Sequence, residues 1–200
     1  MATSLTLQND ASLAQGYVKV NGTTSATFTT SGITGNLVGN VTGSLTQGGS
    51  LTLATAQTAS GTAVDFTGIP SWAKRITVIF KGVSLDGANN ILVRLGAGSS
   101  PVSVGYTGTN GSWFVSLVST LNTTNGFGIR LSDAAATFDG CMNIQTIGSN
   151  IWISNHIGGG GSYVAGGGGS ITLSGTLDRL QILPTAGSFD AGTINISYEG

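Results

Sequence analysis

The chain carries one histidine, His156, and one cysteine, Cys141. A thiol–imidazole pair would make a nucleophile of the cysteine, but only if the fold brings the two side chains together. Cys141 stands at the opening of an apolar alternating stretch and reads as a small buried hydrophobe. A Ser-His-Asp arrangement needs three groups converging in space, and no nucleophile-elbow pattern is present. Glycoside cleavage requires two carboxylates across a cleft, one of them with a raised pKa. The acids are Asp10, Asp65, Asp86, Asp133, Asp139, Asp178, Asp190 and Glu199. Asp86 and Asp139 precede glycine, which is a turn signature. Asp133 and Asp139 flank an Ala-rich turn, yet no calcium-ligand spacing accompanies them. One cysteine excludes a disulfide framework within the chain and a Cys-based zinc site. The glycine runs are not followed by Lys-Ser/Thr, so no phosphate loop is present. The expectation is a protein with no catalytic residue, no metal and no cofactor.

Binding chemistry has better material. Sugars are recognised by aromatic faces against C–H surfaces, with hydroxyls and amides hydrogen-bonding the sugar OH groups. Tyr106, Trp113, Trp152 and Tyr163 lie in one stretch, with Asn110, Asn155 and His156 close by in sequence. These aromatics and His156 are the candidate receptor-binding residues; the alternative is that both tryptophans are core. Tyr163 stands on a Ser-Tyr-Val-Ala island between two runs of four glycines. Read as a mobile glycine loop over Gly158–Gly169, that segment would expose Tyr163 at a tip.

The elements that must hold these residues are strands. Ser and Thr supply 50 of the 200 residues, Gly supplies 33, and Glu199 is the one glutamate. Such a chain lacks the Ala, Leu, Glu, Lys and Arg that build helices. It is rich in the Thr, Val and Ile that suit short strands. A hydrophobic share of 40% is too high for a disordered polar chain. No apolar run reaches the ~18–20 residues of a spanning helix. The net charge is −1 with scattered basic residues, which excludes the clustered phosphate contacts of a nucleic-acid binder.

From Leu51 onward, strand-like segments alternate with turn signals. They are Arg75–Lys81, Asn90–Leu95, Trp113–Val118, Gly126–Leu131, Met142–Ile147, Ile151–His156, Ile171–Leu173, Leu177–Leu183 and Thr193–Tyr198. Alternation sets Ile76, Val78 and Phe80 on one face, and Trp152, Ser154 and His156 on another. Turns are expected at Asp86-Gly87, Asn110-Gly111, Asn125-Gly126 and Asp139-Gly140. The expected fold is all-β: an antiparallel β-sandwich, jelly-roll-like, over residues 50–200.

Between Lys19 and Asp65 the chain has no charge. A four-residue repeat runs through this gap, as Gly35-Asn36-Leu37-Val38, Gly39-Asn40-Val41-Thr42 and Gly43-Ser44-Leu45-Thr46. In a strand it places Ile33, Leu37, Val41 and Leu45 with glycines on one face. One such ribbon cannot bury that face alone, whereas three copies wound together can. Residues 31–49 therefore read as an extended trimeric β stalk, with a flexible linker as the alternative. Met1–Asp10 shows no basic segment and no apolar one, so no secretory signal is read there.

Thr62–Val78, which includes Phe66-Thr67-Gly68-Ile69-Pro70-Ser71-Trp72, resembles a module recurrent in tailed-bacteriophage structural and tail-fibre proteins. Gly82-Val83-Ser84, Ile91–Gly96, Leu173–Leu180 and Phe189–Glu199 match the same module. The resemblance spans roughly residues 51–200, while Gly96–Gly169 follows no recognised pattern. It implies a non-enzymatic virion surface protein, homotrimeric, made in the host cytoplasm. Residues 1–30 would anchor it to other tail or capsid proteins. The head would bind a host-surface receptor, in the first place a glycan, with no nucleic-acid partner and no membrane insertion. A capsid decoration or head-fibre protein is the alternative placement.

Overall fold

The computed structural model describes residues 5–10, 15–20, 23–29, 32–34, 51–114, 118–131 and 133–200. The chain divides into two units, Met1–Ser44 and Leu45–Gly200. In the first, β1 (Leu5–Asp10), β2 (Gln15–Val20), β3 (Thr23–Thr29) and β4 (Gly32–Thr34) form an antiparallel meander. Gly32–Thr34, the start of the expected stalk, pairs with β3 through Phe28 and Ile33. The stalk residues 35–49 lie outside the described residues.

The second unit is a β-sandwich, and every ladder in it is antiparallel. Its strands are β5 (Thr52–Leu53), β6 (Gln57–Thr58), β7 (Val64–Thr67), β8 (Arg75–Leu85), β9 (Ile91–Gly96), β10 (Thr107–Phe114), β11 (Val118–Asn122), β12 (Phe127–Ile129), β13 (Phe138–Gly148), β14 (Ile151–Gly160), β15 (Tyr163–Thr172), β16 (Arg179–Pro184) and β17 (Phe189–Glu199). The larger sheet runs β11-β10-β15-β14-β13-β8-β17-β5, with β6 also on β17. The smaller runs β12-β9-β16-β7. No helix occurs among the described residues.

The core forms where alternation brings aliphatics inward from both sheets. Ile76, Val78 and Phe80 of β8, Met142 and Ile144 of β13, and Ile194 and Ile196 of β17 are buried. They meet Val93, Leu95, Leu180 and Ile182 of the smaller sheet in one cluster. Each such side chain contributes about 1.5–3 kcal/mol when removed from water. Phe138 and Phe80 meet edge to face, with ring centroids 5.4 Å apart. Before β8, Ala73 N–H donates to Pro70 O at 3.0 Å, closing a turn over Pro70–Ala73.

Four expectations of strand and turn placement fail: Trp113 and Val118, expected on one strand, are antiparallel partners on β10 and β11, and the other three lie in glycine-containing segments. Gly158–Gly169 is not a loop. It is the end of β14, a two-residue turn at Gly161-Ser162, and most of β15, hydrogen-bonded to each other and onward to β10 and β13. Glycine keeps both ladder groups of the backbone, so flanking strands can hold it in a sheet despite its low β-propensity. Asn110-Gly111 lies inside β10 rather than in a turn. Asp139-Gly140 lies inside β13, where the register shifts between Phe138 and Gly140. A bulge, not a reversal, absorbs that signal.

Candidate functional site

The two faces of the larger sheet sort the candidate residues. On β14, Trp152, Ser154 and His156 face inward and are buried, while Ile153, Asn155 and Ile157 face solvent. His156 is 4% exposed, and neither ring nitrogen has a partner among the described residues. Its cross-strand neighbours are Met142 and Gly167, neither of which offers a side-chain counter-charge. Burial pushes its pKa down to about 4, so the imidazole is neutral. Cys141 pairs with Ile157 and Ile79 on the opposite face, half-buried rather than buried. Alternation thus separates Cys141 from His156, and no thiol–imidazole pair is assembled.

Tyr106 and Tyr163 also point inward. Tyr106 Oη accepts from Leu95 N–H at 2.7 Å, and its ring stacks edge to face on Phe127. Burial raises its pKa to about 12. Tyr163 is buried because β15 turns it into the sandwich, where its hydroxyl donates to Thr137 O at 3.1 Å. Burial, with the charges of Asp133 and Asp139, raises its pKa to about 12. The expectation of an exposed Tyr163 is therefore overturned by the strand pairing that replaces the glycine loop. Trp152 sits in the core.

Trp113 alone of the five candidates is exposed, at 47%. It lies on the outer face of β10, paired with Val118 of β11 and Val164 of β15. Its indole runs along the sheet over Gly111 and Gly166, which are cross-strand partners. A Cβ on Gly166 would stand 3.2 Å from the indole Cζ3, and one on Gly111 would stand 3.6 Å from the same ring system. The two glycines thus let an indole lie close against the sheet. Beside it opens a groove of about 300 Å³ lined by Thr109, Trp113, Val118, Thr120, Ile157 and Gly166. At its rim, Thr109 Oγ1 donates to Asn122 Oδ1 at 3.0 Å. Ile79, Val118, Ile153, Ile157 and Val164 are exposed on this same outer face. The arrangement is an aromatic plate with apolar flanks and a hydroxyl and amide edge.

The acids from Asp65 onward take structural partners. Arg75 pairs with Glu199 at the matched ends of β8 and β17, and Ser84 donates to Asp190. Asp139 accepts from Gly82 N–H at 2.8 Å and pairs with Lys81 at 3.1 Å, which hold its pKa below the usual carboxylate range. Asp178 is likewise held down, first by Arg179 and then by Gly98 N–H. Asp65 Oδ1 accepts from Gln181 and Asp86 Oδ1 from Ser188 N–H, each at 3.0 Å. Asp133 Oδ1 accepts from Ala135 N–H at 2.9 Å. Among the described residues no group of three His, Cys, Asp or Glu side chains converges on one point.

Sequence reasoning missed that Trp113 rests on glycine. The signal was present as Gly111 two residues before it, because i and i+2 share a strand face. Gly166, from a distant strand, carried no such signal. No family model, no curated protein and no solved structure matches this chain.

Proposed function

We propose that this chain is a non-enzymatic bacteriophage virion protein, a trimeric tail fibre or adhesin whose head attaches to a glycan on the host surface. The observation that carries the binding reading is Trp113, laid open across Gly111 and Gly166 beside an apolar groove with Thr109, Thr120 and Asn122 at its edge. A sugar ring stacks its C–H face on such an indole, and the hydroxyl and amide edge supplies hydrogen bonds. An exposed tryptophan with five exposed aliphatics on the same sheet face is the kind of patch that marks an interaction site. The virion assignment rests on the resemblance of the segments around Phe66–Trp72, Leu173–Leu180 and Phe189–Glu199. The trimer rests on the apolar repeat of residues 31–49.

The reading is tested with the labelled full chain on an array of bacterial surface polysaccharides, alongside sedimentation of the same preparation. Saturable binding to a subset of glycans, no release of reducing ends, and the mass of three chains are expected. Reducing-end release would make the protein an enzyme, and a monomer would remove the stalk. Binding to no glycan by a folded trimer would transfer the assignment to capsid decoration.

A further inference from the structure

A second cleft, of about 340 Å³, lies at one end of the sandwich and away from Trp113. Its size is at the lower end of the range for small-molecule sites. Its walls are the turn that enters β8 (Ser71 to Lys74), the β13–β14 turn (Gly148 to Asn150) and the approach to β16 (Thr176, Leu177). Backbone hydrogen bonds fix these walls to one another. Thr146 N–H donates to Lys74 O, Leu173 N–H to Asn150 O and Ile69 N–H to Asp178 O, each at 3.0 Å.

The polar side chains that line this space are Ser71, Lys74, Thr146, Ser149, Asn150, Thr176 and the Trp152 indole, and the lining holds no carboxylate. Lys74 supplies its one charge. Among the described residues Lys74 has no ion-pair partner, whereas the adjacent Arg75 is neutralised by Glu199. A neighbouring hollow of about 310 Å³ also borders Lys74, and Arg75 and Glu199 line it together. Trp152 borders the cleft, and its buried indole N–H has no acceptor among the described residues. Thr146 is already committed, its hydroxyl donating to Ile151 O and accepting from Gly148 N–H. Ser71, Asn150 and Thr176 show no such side-chain commitment and border the same space.

We infer that this cleft binds one carboxylate-bearing sugar unit, with the carboxylate on Lys74, ring oxygens and hydroxyls on Ser71, Asn150 and Thr176, and the Trp152 side chain as an apolar wall. A positive, carboxylate-free lining selects an anion. The hydroxyl and amide groups, with the volume, select a polyol ring over a small acid. The cleft is separate from the Trp113 face and would bind its ligand without it.

The test titrates the full chain calorimetrically with glucuronate, N-acetylneuraminate, glucose and acetate. At least one acidic sugar is expected to bind tenfold or more tightly than both glucose and acetate, and to weaken as salt is raised. Lys74→Met, a change at an exposed position, should reduce that affinity to the glucose level. Asn150→Gly, which tolerates the local backbone, should weaken it severalfold, and Trp113→Ala should leave it unchanged. Equal binding of glucose or acetate, no binding of either acidic sugar, or full binding by a folded Lys74→Met overturns the inference. Because Trp113→Ala is neutral here but decisive for attachment, the two sites fail separately.

Discussion

The larger sheet has two halves that differ in what they turn inward: one is apolar throughout, the other mixes apolar, polar and glycine positions. Its β8, β13 and β17 half fills the interior with Ile76, Val78, Phe80, Met142, Ile144, Ile194 and Ile196. In its β10, β14 and β15 half, inward Trp152, Tyr163, Ala165 and Ile171 are interrupted by Asn110, Ser112, Ser154, His156, Gly167 and Gly169. The first half is an ordinary apolar core. The second contains Ser112 Oγ, Ser154 Oγ and both His156 nitrogens, none with a partner among the described residues. It also carries the exposed indole on its outer face. A fold can therefore anchor itself on one half of a sheet and leave the other to a surface whose shape is set by missing side chains.

The largest effect that should separate the halves is Phe138→Ala. Phe138 is fully buried against Phe80, and its loss should cost about 3–5 kcal/mol in chemical denaturation. Ser112→Ala, which deletes a buried hydroxyl without a partner, should cost far less or stabilise. A comparable loss at both positions would erase the contrast.

Acid should act next, and through the polar half. An unfolded histidine titrates near 6.5, while His156 in the fold titrates at about 4. The unfolded chain takes up the proton first, so this stability is complete above pH 6.5 and lost as the pH falls toward 4. The loss is about 3 kcal/mol in total, at about 1.4 kcal/mol per pH unit. Asp139 and Asp178 are held low, so their contributions fade only below the ordinary carboxylate range. Denaturation midpoints of the wild type should fall between pH 6.5 and 4, and those of His156→Leu should stay flat there. An equal slope in both proteins would mean that His156 is not the buried titrating group.

Gly167→Ala should cost about 1–3 kcal/mol by crowding. Its Cβ would stand 2.8 Å from the Asn110 Cα and from Thr109 O. Thermal melts check this, and a neutral substitution would show that the glycine strands are looser than their register implies. The smallest effect belongs to the turn that joins the halves. Ser149 and Asn150 have φ of 52° and 58°, and this left-handed region costs serine more than asparagine or glycine. Ser149→Gly should raise stability by about 1 kcal/mol.

The aliphatic half was legible in the sequence and the glycine half was not, for physical reasons. Ile76, Val78 and Phe80 advertise their face because bulky residues alternating at period 2 make a continuous apolar surface in a strand and not in a helix. Gly158–Gly160 and Gly166–Gly169 have no side chains to alternate, so composition suggests a loop, and Tyr163 inherits a false exposure. The contrary signal was Gly161-Ser162, a two-residue hairpin turn between the two runs, in which Gly161 has φ 62°. Trp113 and Trp152 occupy equivalent alternating contexts, and only the pairing of distant strands decides which one meets solvent. The cleft at Lys74 was hidden for a similar reason, since its walls come from three separated segments. The match of Arg75 with Glu199 across β8 and β17 was beyond reach without the register.

The most direct measurement compares Trp113→Ala with the wild type for binding to the polysaccharide array, with a thermal melt of each. Trp113 is half-exposed and lies outside the buried core, so the substitution should change stability by only about 1 kcal/mol or less. The account predicts that the variant melts like the wild type and loses glycan binding at least tenfold. Undiminished binding by a folded Trp113→Ala protein would contradict it.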